Sequence, residues 1–200
     1  MAIRLRGGTA PVDWLIVGLG NPGARYAATP HSVGFDVARA LASRWDLGKP
    51  RGTFNGEYYD GKIRPLDVGT DPISVGVLLP QTFMNESGRS VGPARGRLKT
   101  PLDRILVLHD EIDLKFGDIR CRLGGGLAGH NGLRSLKQHL GDATFGRVRV
   151  GVGRPEPGDP VSVADYVLSR WRQPQADVDA MIGEAADVAE AIVTARRTLA

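Results

Sequence analysis

Apolar residues along this chain come in two rhythms. Short unbroken runs, WLIVG at Trp14 to Gly18, the VGVLL-rich stretch from Ile73 to Leu79 and ILVLH at Ile105 to His109, read as strands buried on both faces, the second of them central. Further strands are predicted over Phe54 to Tyr59, Asp118 to Leu123 and Arg147 to Val152. Between these runs the apolar positions recur every three or four residues. Val37, Leu41 and Trp45 predict a helix over Val33 to Trp45, and similar spacing predicts helices over Ser87 to Leu98, interrupted near Pro93, and over Leu133 to Leu140. A last long helix spans Asp177 to Arg197, with Met181, Ala185, Val188 and Ile192 on one face. Its Asp177 and Asp179 at the start and Arg196 and Arg197 at the end suit the helix dipole. Strand and helix in alternation predict an α/β fold, a twisted and mostly parallel sheet covered on both faces. No internal repeat or low-complexity linker divides it, so a single domain is expected.

Composition narrows the picture only a little. A chain of 200 residues, 42% of them hydrophobic and 24% charged, has the make-up of one ordinary packed domain. No apolar run approaches the ~20 residues of a membrane-spanning helix. The first dozen residues, MAIRLRGGTAPV, carry no hydrophobic signal core; residues 1–12 are expected to be a disordered basic tail and 13–200 the folded domain, in the cytoplasm. Cys121 is the only cysteine, which rules out an intramolecular disulfide and fits a reducing compartment; it is expected as a half-buried strand residue. A net charge of +4 is mild, but its distribution is uneven. Arg120, Arg122, Arg134, Lys137, Arg147, Arg149 and Arg154 fall in one stretch with few acids. On neighbouring strands they would form a basic face suited to phosphates; read blandly, they are a solvated charged surface. Arg122 and Arg149 lie two positions from Arg120 and Arg147, and residues two apart on a strand share a face, so adjacent strands would gather four guanidiniums.

Gly18, Gly20 and Gly23 after the first strand imitate a dinucleotide-binding loop. That loop requires a helix to begin at once and an acidic residue at the end of a second strand ~20 positions on. Pro22 and Pro30 interrupt any such helix, and the later stretch is itself helical, so Asn21-Pro22-Gly23 is read as a tight turn. The turn places Asn21 at a strand's carboxyl end, where open α/β sheets hold their ligands. Other polar segments share that placement: His31 in TPHSVGF, Asn85 in PQTFMNESG, His109 to Asp113 after a strand, and His130 with Asn131 closing GGGLAGHNG. Together they offer a hydrolase what it needs: a base titrating near neutrality, a carboxylate to orient it, and amides for a carbonyl or oxyanion.

GLGNPG (18 to 23), TPHSVGF (29 to 35), PQTFMNESG (80 to 88), HDEIDL (109 to 114), GGGLAGHNGL (124 to 133) and FGRVRVGVGRP (145 to 155) resemble, in order and spacing, the bacterial-type peptidyl-tRNA hydrolases over residues 14 to 190. The resemblance implies a three-layer α/β/α sandwich, a monomer without metal or cofactor, and hydrolysis of the ester that joins peptide to tRNA, the acceptor end and 3′ adenosine being bound. It further implies catalytic roles for His31 as general base, Asp110 as its orienting carboxylate and Asn21 beside the reacting carbonyl. Asn85 and Asn131 would grip the substrate, Tyr26, Phe83 and Met84 would line the cleft, and Arg122 and Arg149 would contact phosphate. Two residues depart from the family pattern: Pro30 and Ser32 stand where an arginine and an asparagine usually flank the histidine, so the His31 loop is expected to sit differently.

Three alternatives compete with this reading. A non-catalytic RNA-binding relative of the same fold would not need the whole polar set, which the chain retains. A metal-dependent hydrolase would use His109, Asp110, Glu111 and Asp113, although alternate strand residues face opposite ways. A purely structural module would turn over no ester.

Overall fold

The first apolar run is strand β1, Trp14–Gly18, all five residues buried, in a computed structural model that describes residues 10–65, 71–195 and 197–199. It lies at the middle of a seven-stranded sheet with β2 (Arg51–Thr53), β3 (Gly56–Ile63), β4 (Ile73–Pro80), β5 (Ile105–Glu111), β6 (Ile119–Leu123) and β7 (Gly146–Gly151), in the order β2-β3-β4-β1-β5-β7-β6. The neighbours β4, β1, β5 and β7 run parallel, while β3 and β6 join their margins antiparallel. The apolar runs without alternation are therefore the strands buried on both faces, and the polar, alternating β6 is an edge.

Two helices cover each face. On one side α1 (Val33–Arg44) and α5 (Gln175–Val193) bury Val37, Leu41, Met181, Ala185 and Ile192 against Ile16, Val77, Leu106 and Val148. On the other, α2 (Gly88–Leu98) and α3 (Asn131–Leu140) bury Val91, Leu98, Leu133 and Leu136 against Leu15, Val17, Ile105 and Val107. The result is the expected three-layer α/β/α domain. Among the described residues no helix is long and apolar enough to cross a membrane.

Several boundaries differ from the sequence expectation. The predicted strand at Phe54 begins as a turn: Phe54 and Asn55 both take positive φ, 57° and 52°, and close a β2–β3 hairpin. Pro93 does not interrupt α2; it sits exposed on the outer face, and the helix passes through it. A short helix α4, Val163–Leu168, is an addition to the expected elements; Ser162 caps it by accepting from the Asp165 amide, a start too brief to leave a periodic pattern. The last helix ends at Val193, before Arg197, and Arg196 lies outside the described residues. Residues 1–9 of the expected tail also lie outside them; Val12, assigned to that tail, is buried and its amide bonds to Leu98 O.

The dinucleotide-like glycines serve packing. A Cβ on Gly18 would stand 2.4 Å from the Gly34 carbonyl, and one on Gly20 would enter the Phe35 ring. They let α1 approach β1 closely, which brings the turn before α1, and with it His31, to the carboxyl ends of β1 and β5.

Candidate active site

β5 delivers His109, Asp110 and Glu111 to the carboxyl end of the sheet, all three buried, with alternate side chains on opposite faces. Asp110 there meets two helix starts. His31 lies in a 3-10 turn, Pro30–Ser32, that runs into α1, and its Nδ1 is 2.9 Å from Asp110 Oδ1. His130 is the N-cap of α3, and its Nε2 is 3.0 Å from the same oxygen.

The hydrogen-bond network assigns the protons. A carboxylate oxygen only accepts, so both imidazoles donate to it. His130 Nδ1 accepts from the amides of Gly132 and Leu133 at 3.1 and 3.4 Å, which leaves its proton on Nε2. His31 donates through Nδ1, and its Nε2 lone pair remains for chemistry. Burial opposes charge on His31, but the charge of Asp110 and the bond to it prevail, and the His31 pKa is raised above its ordinary value. Burial likewise opposes charge on Asp110, yet the two imidazoles hold its carboxyl far below the usual carboxylate range. His109 is different in kind. It donates from Nδ1 to the Asp110 carbonyl at 2.7 Å, and burial together with His130 pushes its pKa down to about 3, so it stays neutral.

Departures around His31 fit locally. Pro30 is buried at the first position of the turn, where no amide is needed, and the Ser32 hydroxyl accepts from the Asn21 amide at 3.3 Å. Asn21 itself is buried; its Oδ1 accepts from the Met84 amide at 2.8 Å, tying the end of β1 to the turn at Met84–Glu86 and leaving its NH₂ as donor. Met84 is core, packed beside Gly132, whereas Phe83 is 58% exposed, Asn85 is exposed and Tyr26 is half-buried.

A cavity of about 350 Å³ opens over this constellation. Its lining joins the polar His31, Asp110 and Asn131 with the apolar Val163, Val167 and Leu168 of α4. Asn21 and Asn85 do not line it. The α4 wall and the His130 bond to Asp110 are both absent from the sequence expectation; the signal available for His130 is a histidine directly before a helix.

His31, Asp110 and His130 bring ligand-type atoms within 4.8 Å of one another, but an ion could bind there only by displacing the two imidazole protons that bond to Asp110. The four-residue metal set weighed from the sequence does not converge. His109 is turned to a carbonyl, Glu111 accepts from Arg149 Nε and the Asp113 amide, and Asp113 pairs with Arg154.

The basic strands are adjacent as expected, with Arg120 opposite Arg149 and Arg122 opposite Arg147. Four guanidiniums do not, however, gather at the surface. Arg147 is 1% exposed, and its guanidinium donates to the carbonyls of Gly125, Gly126 and Ala143 over the Phe145 ring. Burial, with Arg122 and Arg149 nearby, pushes its pKa down to about 10. Arg149 is 23% exposed and paired with Glu111 at 3.0 Å.

Comparison with known proteins identifies the family and the fold. A family profile described as "Peptidyl-tRNA hydrolase" matches residues 15–199. The peptidyl-tRNA hydrolase of Halalkalibacterium halodurans is 44% identical over 88% of this chain and 91% of its own length. That of Sorangium cellulosum is 51% identical over 78% of this chain and 66% of its own. The crystal structure of the Acinetobacter baumannii peptidyl-tRNA hydrolase superposes with a TM-score of 0.77 at 35% identity, covering 92% of this chain and 89% of that one.

Proposed function

This chain belongs to the peptidyl-tRNA hydrolase family, and from that premise we propose that it cleaves the ester between peptide and tRNA as a cytosolic monomer, with His31 as base. The observation that carries the assignment is the Nδ1 contact of His31 with Asp110 at 2.9 Å, which turns Nε2 into the proton acceptor on the cavity wall.

His31 Nε2 takes a proton from water as the oxygen attacks the ester carbonyl. Asp110 stabilises the imidazolium through the same hydrogen bond that fixed its tautomer. The carbonyl oxygen becomes an oxyanion, for which the NH₂ group of Asn131 on the cavity lining is a neutral donor, and the NH₂ of Asn21, buried outside that lining, is assigned the place beside the carbonyl from the family resemblance alone. As the tetrahedral intermediate collapses, the ribose 3′ oxygen leaves and receives the proton from His31, so the products are a free peptide carboxyl group and a tRNA 3′ hydroxyl. Asn85 grips the peptide or the 3′ end. Tyr26 and exposed Phe83 offer rings on which a terminal adenine can stack, while Met84 is buried and its amide holds Asn21 Oδ1. Arg122 and the outward edge of Arg149 take phosphate, the inward edge of Arg149 being held by Glu111.

Incubation of the purified protein with an N-blocked aminoacyl-tRNA tests the reading. Release of free tRNA is expected; an intact ester after prolonged incubation would refute it.

A further inference from the structure

Arg147 is the largest fully buried side chain among the described residues, yet it forms no ion pair there; Glu111, whose charge favours it, is bonded to Arg149 instead. An arginine is almost never buried without a partner. An apolar residue would fill the same place over Phe145 without the cost of stripping a charge of water. What the guanidinium does there is hold backbone. Its Nη1 donates to Gly126 O at 2.6 Å, and its Nη2 to Gly125 O and Ala143 O at 3.1 and 3.2 Å.

The loop so held has little shape of its own. Gly124, Gly125, Ala128 and Gly129 all take positive φ, and the stretch belongs to no helix or strand. Its backbone bonds lie at its two ends, Gly124 N to Phe145 O and His130 N to Leu127 O, with Arg147 gripping the carbonyls between them. Just beyond the gripped residues, Ala128, Gly129, His130 and Asn131 line the cavity, and His130 donates to Asp110. Arg147 therefore reaches the catalytic carboxylate through the loop backbone and one imidazole, although it does not line the cavity itself.

We infer that Arg147 is a positioning residue for the reaction: by fixing the carbonyls of Gly125 and Gly126 it sets the loop that carries His130 to Asp110 and Asn131 to the substrate. The inference rests on the proposed hydrolase reading and deepens it, since it gives the site a support on β7, outside the segments that hold its reactive groups. Three carbonyls gathered on one side chain call for the planar fork of an arginine, which a lysine does not reproduce.

The proton on His130 Nε2, held on a buried carboxylate, should resonate at low field in the proton NMR spectrum, and His130→Asn assigns the signal by removing it. Arg147→Lys keeps the cation and loses the fork. In that variant the resonance should shift or vanish. Its kcat for an N-acylated amino acid esterified to adenosine, a substrate without a tRNA backbone, should fall about tenfold to a hundredfold, as for a site displaced by a fraction of an ångström to one. Arg147→Met, which keeps the packing over Phe145, should do the same. Gly125→Ala approaches the loop from its exposed side: φ there is 96° and a Cβ would collide with the Arg122 guanidinium, so the loop must shift while the core stays intact. It should reproduce both changes, which keeps the test decisive if neither Arg147 variant folds. A role confined to stability would lower Tm and leave the resonance and the kcat of folded molecules as in the wild type. That result in any of the three variants would overturn the inference. The resonance is read without ester turnover, so a wild-type protein that spares the ester refutes the hydrolase reading while the signal still tests the loop.

Discussion

His31 and Asp110 are legible as residues because each lies in a polar segment at the end of a buried strand, where a sheet enzyme keeps its chemistry. Replacing His31 by alanine removes the imidazole whose free nitrogen faces the cavity, and kcat should fall by ~10² to 10⁴-fold with unchanged circular dichroism. Wild-type turnover would remove His31 from the mechanism. Its pKa has a kinetic consequence. A base works only when unprotonated, and Asp110 raises the His31 pKa, so kcat/KM should climb with pH through a midpoint above the ordinary histidine value of about 6.5. Asp110→Asn keeps the shape and removes the charge, after which burial, which disfavours the imidazolium, dominates. The midpoint should then move to lower pH and kcat should fall, with little change in tRNA binding; an unmoved midpoint would show that Asp110 does not act through His31. The second imidazole on Asp110 is not legible in the same way. Its role depends on which nitrogen bears the proton, and that is decided by two backbone amides of α3.

Among the elements, α3 carries most of what the sequence leaves hidden. Its predicted start is Leu133, after the cap, because leucine spacing marks the buried face and says nothing of the polar residue that closes the first turn. Capping and catalysis can be separated experimentally. His130→Ala loses both functions and should cost about 0.5 to 2 kcal/mol of stability, read as a lower Tm, together with a lower kcat. His130→Asn restores a good N-cap but cannot place a donor at Asp110, so Tm should recover while kcat remains low. Parallel recovery of both would mean that His130 serves the helix alone. The β2–β3 hairpin and α4 escape the sequence reading for local reasons. Phe54 is a poor indicator of a left-handed turn, and six residues of α4 are too few to show a helical period. The central strands are easy to read for the opposite reason: a strand buried on both faces has no polar position to confuse its pattern.

At the scale of the whole molecule, charge is divided between the two helical layers. The α2–α3 side and β6–β7 bear the cations, whereas the exposed positions of α5 include Asp177, Asp179, Glu184 and Asp187. A polyanion is thereby drawn to one side and repelled by the other. Arg122→Ala with Arg149→Ala should raise KM for N-blocked aminoacyl-tRNA, at about 1 to 3 kcal/mol for each phosphate no longer held, and should affect an N-acylated amino acid esterified to adenosine far less. Equal reductions on both substrates would assign the pair to the site, as the Glu111 contact of Arg149 allows. Strand order carries a further consequence. β7 lies between β5 and β6, although both precede it in the chain, and Arg147 of β7 anchors the loop that presents His130. Until residues 146–151 have been made, β6 has no neighbour and that loop no anchor, whatever β1, β4 and β5 have already formed. An enzyme that severs nascent peptides from tRNA is itself synthesised as a nascent peptide on tRNA. Truncation before β7 removes that neighbour and that anchor, so a fragment ending at residue 145 should release no tRNA in the assay in which the full chain is expected to.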